Sequence, residues 1–206
     1  MKTIILTLAI TLATVVGTSH STYAATGNST QVSTILTDVT SISKIEVHGN
    51  VQVYISSGTA DQVKVYNNYY AESPLVQNEN GILRITNYAA QKLTVWVTAS
   101  QLQNISAYDN AVVKSFGKLS AIDLDIKLFG NAYAKLNLDT YSTKLDLKGK
   151  AKADLSGSVT EASMRYDRSA FLNTTELSAS HLTEIINYGH KPHFHHFDHH
   201  SELASL

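Results

Sequence analysis

Six histidines, His190, His193, His195, His196, His199 and His200, crowd the end of this chain, with Asp198 among them. Imidazole is the commonest side-chain ligand for zinc, copper and nickel, and a carboxylate can complete such a site. A cluster of this kind gives metal affinity by composition without fixing a geometry. Two readings of residues 189–206 follow: a tail that takes up Zn, Cu or Ni, or a disordered, mildly pH-sensitive end. Nothing else in the sequence calls for a cofactor.

The acidic residues that could act on a glycosidic bond are Asp123, Asp125, Asp139, Asp146, Asp154 and Asp167. That chemistry needs two carboxylates converging on one bond. Asp123 and Asp125 alternate with Leu124 and Ile126, so both would point outward from one strand, where a charge keeps the strand soluble. There is no Gly-x-Ser-x-Gly elbow, His-Glu-x-x-His pair or phosphate loop, and the only arginines are Arg84, Arg165 and Arg168. The chain therefore reads as no enzyme. A non-catalytic binding role ranks first, a metal-binding protein using the tail second, and a carbohydrate-active enzyme third.

Binding residues are suggested by a repeat. Its copies are Tyr108-Asp109-Asn110-Ala111, Phe129-Gly130-Asn131-Ala132, Lys148-Gly149-Lys150-Ala151 and Tyr166-Asp167-Arg168-Ser169, at steps of 21, 19 and 18. An earlier copy, His48-Gly49-Asn50-Val51, stands about three such steps before the first. Apolar residues fall in phase two and four positions to either side of most copies, and Gly, Asn and Asp suit a corner that visits positive φ. Stacking would bring His48, Tyr108, Phe129, Lys148 and Tyr166 into one column. There Tyr108, Phe129 and Tyr166 would either offer ring faces to a glycan or surface protein, or stack on one another and seal the core edge.

The elements that must carry these residues are strands. Ile45 to His48, Val51 to Ile55, Val63 to Tyr66, Ile82 to Ile85 and Leu93 to Val97 all alternate apolar and polar at period two. Gly49-Asn50, Ser57-Gly58, Asn67-Asn68 and Asn78-Glu79-Asn80-Gly81 punctuate them. Thr175 to Ile186 fits a last strand pair or a short helix. Tyr69, Tyr70 and Trp96 are taken as buried, the default for large aromatics. A phase-locked period of about 20 residues predicts an all-β parallel solenoid, a β-helix-like stack, more than an antiparallel sandwich. Its final rung would be open to homo-oligomeric edge pairing, or be capped by the segment after Thr175.

Lys2 followed by an apolar run from Ile4 to Val16 and by Thr22-Tyr23-Ala24 has the parts of a secretory signal peptide cleaved after Ala24. The run is shorter than the roughly 20 residues of a membrane span. The expected organisation is a leader at 1–24, a polar lead at 25–40, the β-domain at 41–188 and the tail at 189–206. The expected destination is the periplasm, cell surface or medium, with no transmembrane anchor once the leader is gone. With no cysteine, stability must come from packing alone. Lys2 is the one charge that leaves with the leader, so acidic residues slightly outnumber basic ones in the remainder, which gives no footprint for nucleic acid.

In order along the chain come Ile45-x-Val47-x-Gly49-x-Val51-x-Val53, then Gly81-Ile82-Leu83-Arg84-Ile85. Val95-Trp96-Val97-Thr98, Leu102-Gln103-Asn104-Ile105 and the glycine corners follow. From about Ser41 to Tyr188 this resembles the head (GIN) domain of auto-transporter adhesins, a bacterial cell-envelope family. The resemblance implies a β-helix-like stack, a surface or periplasmic setting, an adhesion role and no catalytic residues. The chain departs from the family's usual Gly-Ser-Gly-like corners at Asp109-Asn110, Gly130-Asn131, Gly149-Lys150 and Asp167-Arg168, and also in its histidine-rich end.

Overall fold

The computed structural model describes residues 33–36, 39, 41–66 and 75–188. The expected leader, Tyr69 and Tyr70, and the histidine-rich tail lie outside the described residues. The described part is all β. In chain order its strands are β1 (Ser33–Leu36), β2 (Lys44–Gly49), β3 (Val51–Ser57), β4 (Gln62–Tyr66), β5 (Leu75–Glu79) and β6 (Ile82–Asn87). They continue with β7 (Leu93–Ala99), β8 (Asn104–Ala107), β9 (Val112–Leu128), β10 (Tyr133–Leu147), β11 (Lys152–Asp167) and β12 (Phe171–Asn187). Thr175 to Ile186, ambiguous in sequence, lies within β12.

All twelve belong to one mixed sheet that curls over a single core. A front face runs β1-β4-β7-β3 and joins the first part of β9; a rear face runs β5-β6-β2-β8 and joins its last part. From β9 onward each long strand serves both faces. Thr140 and Thr143 mark the bend of β10: both are buried, and their hydroxyls bond each other at 2.6 Å, so neither is orphaned in the core. Tyr141 and Ser142 between them turn outward.

The repeat predicted from the corners reappears as strand register. Val112 pairs with Tyr133, a step of 21, and past a bulge Leu119 pairs with Leu138, a step of 19. Tyr133 pairs in turn with Lys152, and Lys152 with Phe171, each again a step of 19. Ala111, Ala132 and Ala151 are fully buried beside the corners, where the interior is narrow.

Two expectations need correction. A uniform parallel stack would contain no antiparallel pairs, yet β1–β4, β4–β7 and β5–β6 are antiparallel. For β5–β6 the cause is local. Asn80 and Gly81 both hold positive φ (51° and 78°), the backbone of a two-residue turn that can join only antiparallel neighbours. The second correction concerns the fourth corner. Inward residues stay in line when Leu145 meets Met164 and Leu147 meets Tyr166, so the step is 19 and not 18. Asp109, Gly130 and Gly149 hold φ of 62°, 72° and 73°, whereas Asp167 pairs within the strands, one residue before its turn.

Asp61, in the loop from β3 to β4, ties the segment that enters β2 to the loop that leaves β7. Its carboxylate accepts the Ile42 N–H, and the Ser100 N–H and hydroxyl at 2.7 and 2.9 Å. Burial pushes the carboxyl up, but these three donors outweigh burial and hold it below its ordinary 3.8. A lowered folded value means stability that is present above the unfolded value and is lost as pH falls through the folded one. Melting curves from pH 7 to pH 3 should therefore fall more steeply for the native chain than for Asp61→Asn. Parallel curves would show that Asp61 carries none of the acid sensitivity.

Candidate functional site

The corner column forms in part. His48 stacks on Tyr108 with centroids 4.3 Å apart and planes at 2°, and Tyr108 stacks on Phe129 at 4.8 Å and 5°. Lys148 places its Nζ 5.5 Å above the far face of Phe129. Corner-on-corner backbone bonds, such as Phe129 N–H to Ala107 O and Lys148 N–H to Leu128 O at 2.9 Å, set this spacing. The ring faces are thus occupied by one another and by a cation, leaving mainly edges to solvent. Tyr166 does not join the column. Register puts it beside Leu147, on the inward side of the stack, and its hydroxyl donates to Glu184 at 3.2 Å. Burial and the Glu184 charge hold that phenol protonated above its ordinary value.

The acids do not converge as a pair in a closed site. Asp125 accepts from Lys127 at 2.7 Å, Asp146 lies 3.8 Å from Lys148, and Asp167 accepts the Gly149 N–H at 2.8 Å. Asp154 accepts from Tyr133 at 2.6 Å; burial first, then that bond and the carboxylate's charge, push the phenol up to about 12. Asp123 and Asp139 share an open cavity of about 670 Å³ with Gln101, Gln103 and the exposed Ile122. Among the described residues no three His, Cys, Asp or Glu side chains are grouped to hold a metal ion. The expected ligands His190, His193, His195, His196, Asp198, His199 and His200 lie outside those residues.

A third place escaped the sequence reading. Trp96 is not buried but points outward from the front face, as does Tyr54 beside it in register. Their rings stack at 4.6 Å and 26°, Phe116 meets the indole edge-on at 5.4 Å, and Lys114 lies 5.9 Å over Tyr54. Gln52 donates to the Tyr54 hydroxyl, fixing that ring. On its β4 side, Trp96 lines a cavity of about 280 Å³ with Gln62, Lys64, Tyr66 and Thr98. The signal was present in the alternation. Once Leu93, Val95 and Val97 face the core, Trp96 must face out, and Tyr54 follows in the same way from Val53 and Ile55.

Comparison with known proteins adds the family. No curated protein sequence matches the chain. Among solved structures, a "putative adhesin" from Parabacteroides distasonis ATCC 8503 superposes with a TM-score of 0.57 at 17% identity, covering 78% of this chain and 79% of that one. A "putative lipid binding protein" from the same organism gives 0.60 at 12%, covering 78% and 80%. A "putative adhesin" from Parabacteroides merdae ATCC 43184 gives 0.53 at 15%, covering 78% and 79%. At these identities the likeness shows the fold. The model of the family described as "putative auto-transporter adhesin, head GIN domain" matches residues 41–187, the stretch from just before β2 to the end of β12, and the chain belongs to that family.

Proposed function

We propose that this chain is an exported, non-catalytic binding domain of the cell envelope, a β-solenoid-like stack that presents its front face for adhesion. The observation that carries this reading is the outward Tyr54–Trp96 pair, with one side of the indole opening onto a cavity of about 280 Å³. Aromatic faces beside hydroxyl and amide groups suit partners that are apolar on one side and polar at the rim, as sugar rings and peptide side chains are. Lys64, Gln62, Thr98 and Tyr66 supply those polar groups around Trp96. The family's description as adhesins and the leader-like start of the chain both support an envelope setting.

The test is a glycan and envelope-component array probed with the chain from Ala25 to Leu206. Trp96→Ala should weaken every specific signal at least about tenfold, the scale of one lost aromatic anchor. Tyr141→Ala, at an exposed ring on the bend, should leave the signals unchanged. Signals that survive Trp96→Ala intact would overturn the front-face assignment.

A further inference from the structure

One register row crosses the front face through Lys64 on β4, Trp96 on β7, Tyr54 on β3, Lys114 on β9 and Lys135 on β10. All five point away from the core: their neighbours Val63, Val65, Val95, Val53, Val113, Ala134 and Leu136 are buried. Three of the five are cations, and Lys114 and Lys135 lie side by side in register. Among the described residues no ion pair engages Lys64, Lys114 or Lys135. The rear face is arranged differently. There Lys44 and Arg84 share Glu46 at 2.6 and 2.8 Å, and Lys127 holds Asp125 at 2.7 Å.

The first carboxylate in the front row is Asp154, in register with Lys135, and it is held by the Tyr133 hydroxyl. Like charges set side by side on a sheet are destabilising when nothing offsets them. A row of three lysines outside any ion pair among the described residues, interrupted by two rings and bordered by one carboxylate, therefore has the charge complement of an anionic chain laid across the strands. Lys64 and Lys135 are four strand spacings apart, about 19 Å, the reach of a short oligosaccharide.

We propose that the front face binds an acidic polysaccharide, a sugar chain bearing carboxylate or sulfate groups. One sugar ring sits in the cavity against Trp96, where Gln62, Thr98 and Tyr66 meet its hydroxyls. The chain's anionic groups lie over Lys64, Lys114 and Lys135. This deepens, and rests on, the front-face binding reading above. The overall net charge of −1 makes the attraction a property of this row and not of the whole molecule.

The probes are polygalacturonate, heparin, neutral dextran and single-stranded DNA, each titrated into the chain from Ala25 to Leu206 at pH 8. The native chain should bind polygalacturonate or heparin, and these two probes separate carboxylate from sulfate recognition. Affinity should fall as salt rises. The triple substitution Lys64→Glu, Lys114→Glu, Lys135→Glu should cost at least about thirtyfold and flatten the salt dependence. The milder triple change to Gln should cost less, with an unchanged melting temperature verifying the fold. Trp96→Ala should cost about tenfold. Acidic glycans that fail to bind, or that bind both triple variants as well as the native chain, overturn the proposal. Dextran or another neutral glycan bound through Trp96 without preference for acidic ones would overturn it too, while leaving the front-face reading intact. DNA bound in place of both acidic glycans would replace it with nucleic-acid recognition.

Discussion

Gly157→Ala should destabilise the protein by about 3–5 kcal/mol, while Gly117→Ala should cost only about 1–2 kcal/mol. Both glycines hold positive φ, +100° and +79°, so both substitutions force a side chain into the left-handed region. The difference lies in what the new methyl meets. At Gly157 it would stand 2.1 Å from the Leu138 carbonyl oxygen, 2.6 Å from Asn137 Oδ1 and 2.8 Å from the Leu138 nitrogen. Two of those atoms are backbone of β10, held on its other side by β9, so they have little room to retreat. At Gly117 nothing lies within 4 Å. For a domain of this size the extra cost lowers the melting temperature by roughly 10 °C. Thermal melts of the two variants side by side decide it: equal losses would mean that the contact between neighbouring rungs is looser than the geometry states.

The second large effect is expected inside the stack. Leu128→Ala should cost about 3–4 kcal/mol in urea unfolding. Leu128 is fully buried on β9, with Ala107 of β8 on one side and Leu147 of β10 on the other. Ala107 is already small and cannot fill the hole, so the cavity term adds to the lost transfer energy. Leu182→Ala removes the same atoms from the same inward side of β12, but Leu182 is 47% exposed and has one strand beside it. That change should cost under about 1 kcal/mol. Comparable losses at both positions would contradict a core that thins toward its last rung.

How far the sequence could be read depends on the scale of the signal. Period-two alternation was enough to locate β2, β3, β4, β6 and β7, because each strand buries one side only and the pleat leaves no other choice. The corner spacing carried the stacking of β9 to β12. It failed by one position at the fourth corner, where turn residues align Lys148 with Tyr166 but packing aligns Leu147 with it. Corner chemistry tolerates such a slip and inward packing does not, so the core set the register. The antiparallel strands were hidden for another reason. The Asn80-Gly81 turn announces a hairpin, yet β4 lies against β7, with β5 and β6 intervening in the chain, and no local signal names so distant a partner. The candidate binding surface was legible in principle. Treating Trp96 as a buried aromatic set a residue-type average against the alternation of its own strand, and the alternation was the stronger evidence.

The stack also has a kinetic direction. Neighbours in its second half are one repeat apart in the chain, as Tyr133 and Lys152 are. In the first half the partners are distant: Lys44 pairs with Ile82, Val51 with Leu93, and Gln52 with Val112. The last of these loops is roughly three times as long as one repeat, and tripling a loop costs about 1 kcal/mol of extra closure entropy before any contact rewards it. The later rungs can therefore zip early and locally, whereas the front and rear sheets of the first half wait for β9 to join them. The half with the more fully enclosed core is thus the slower to assemble, and rate and stability are weighted toward opposite ends of one hydrophobic interior.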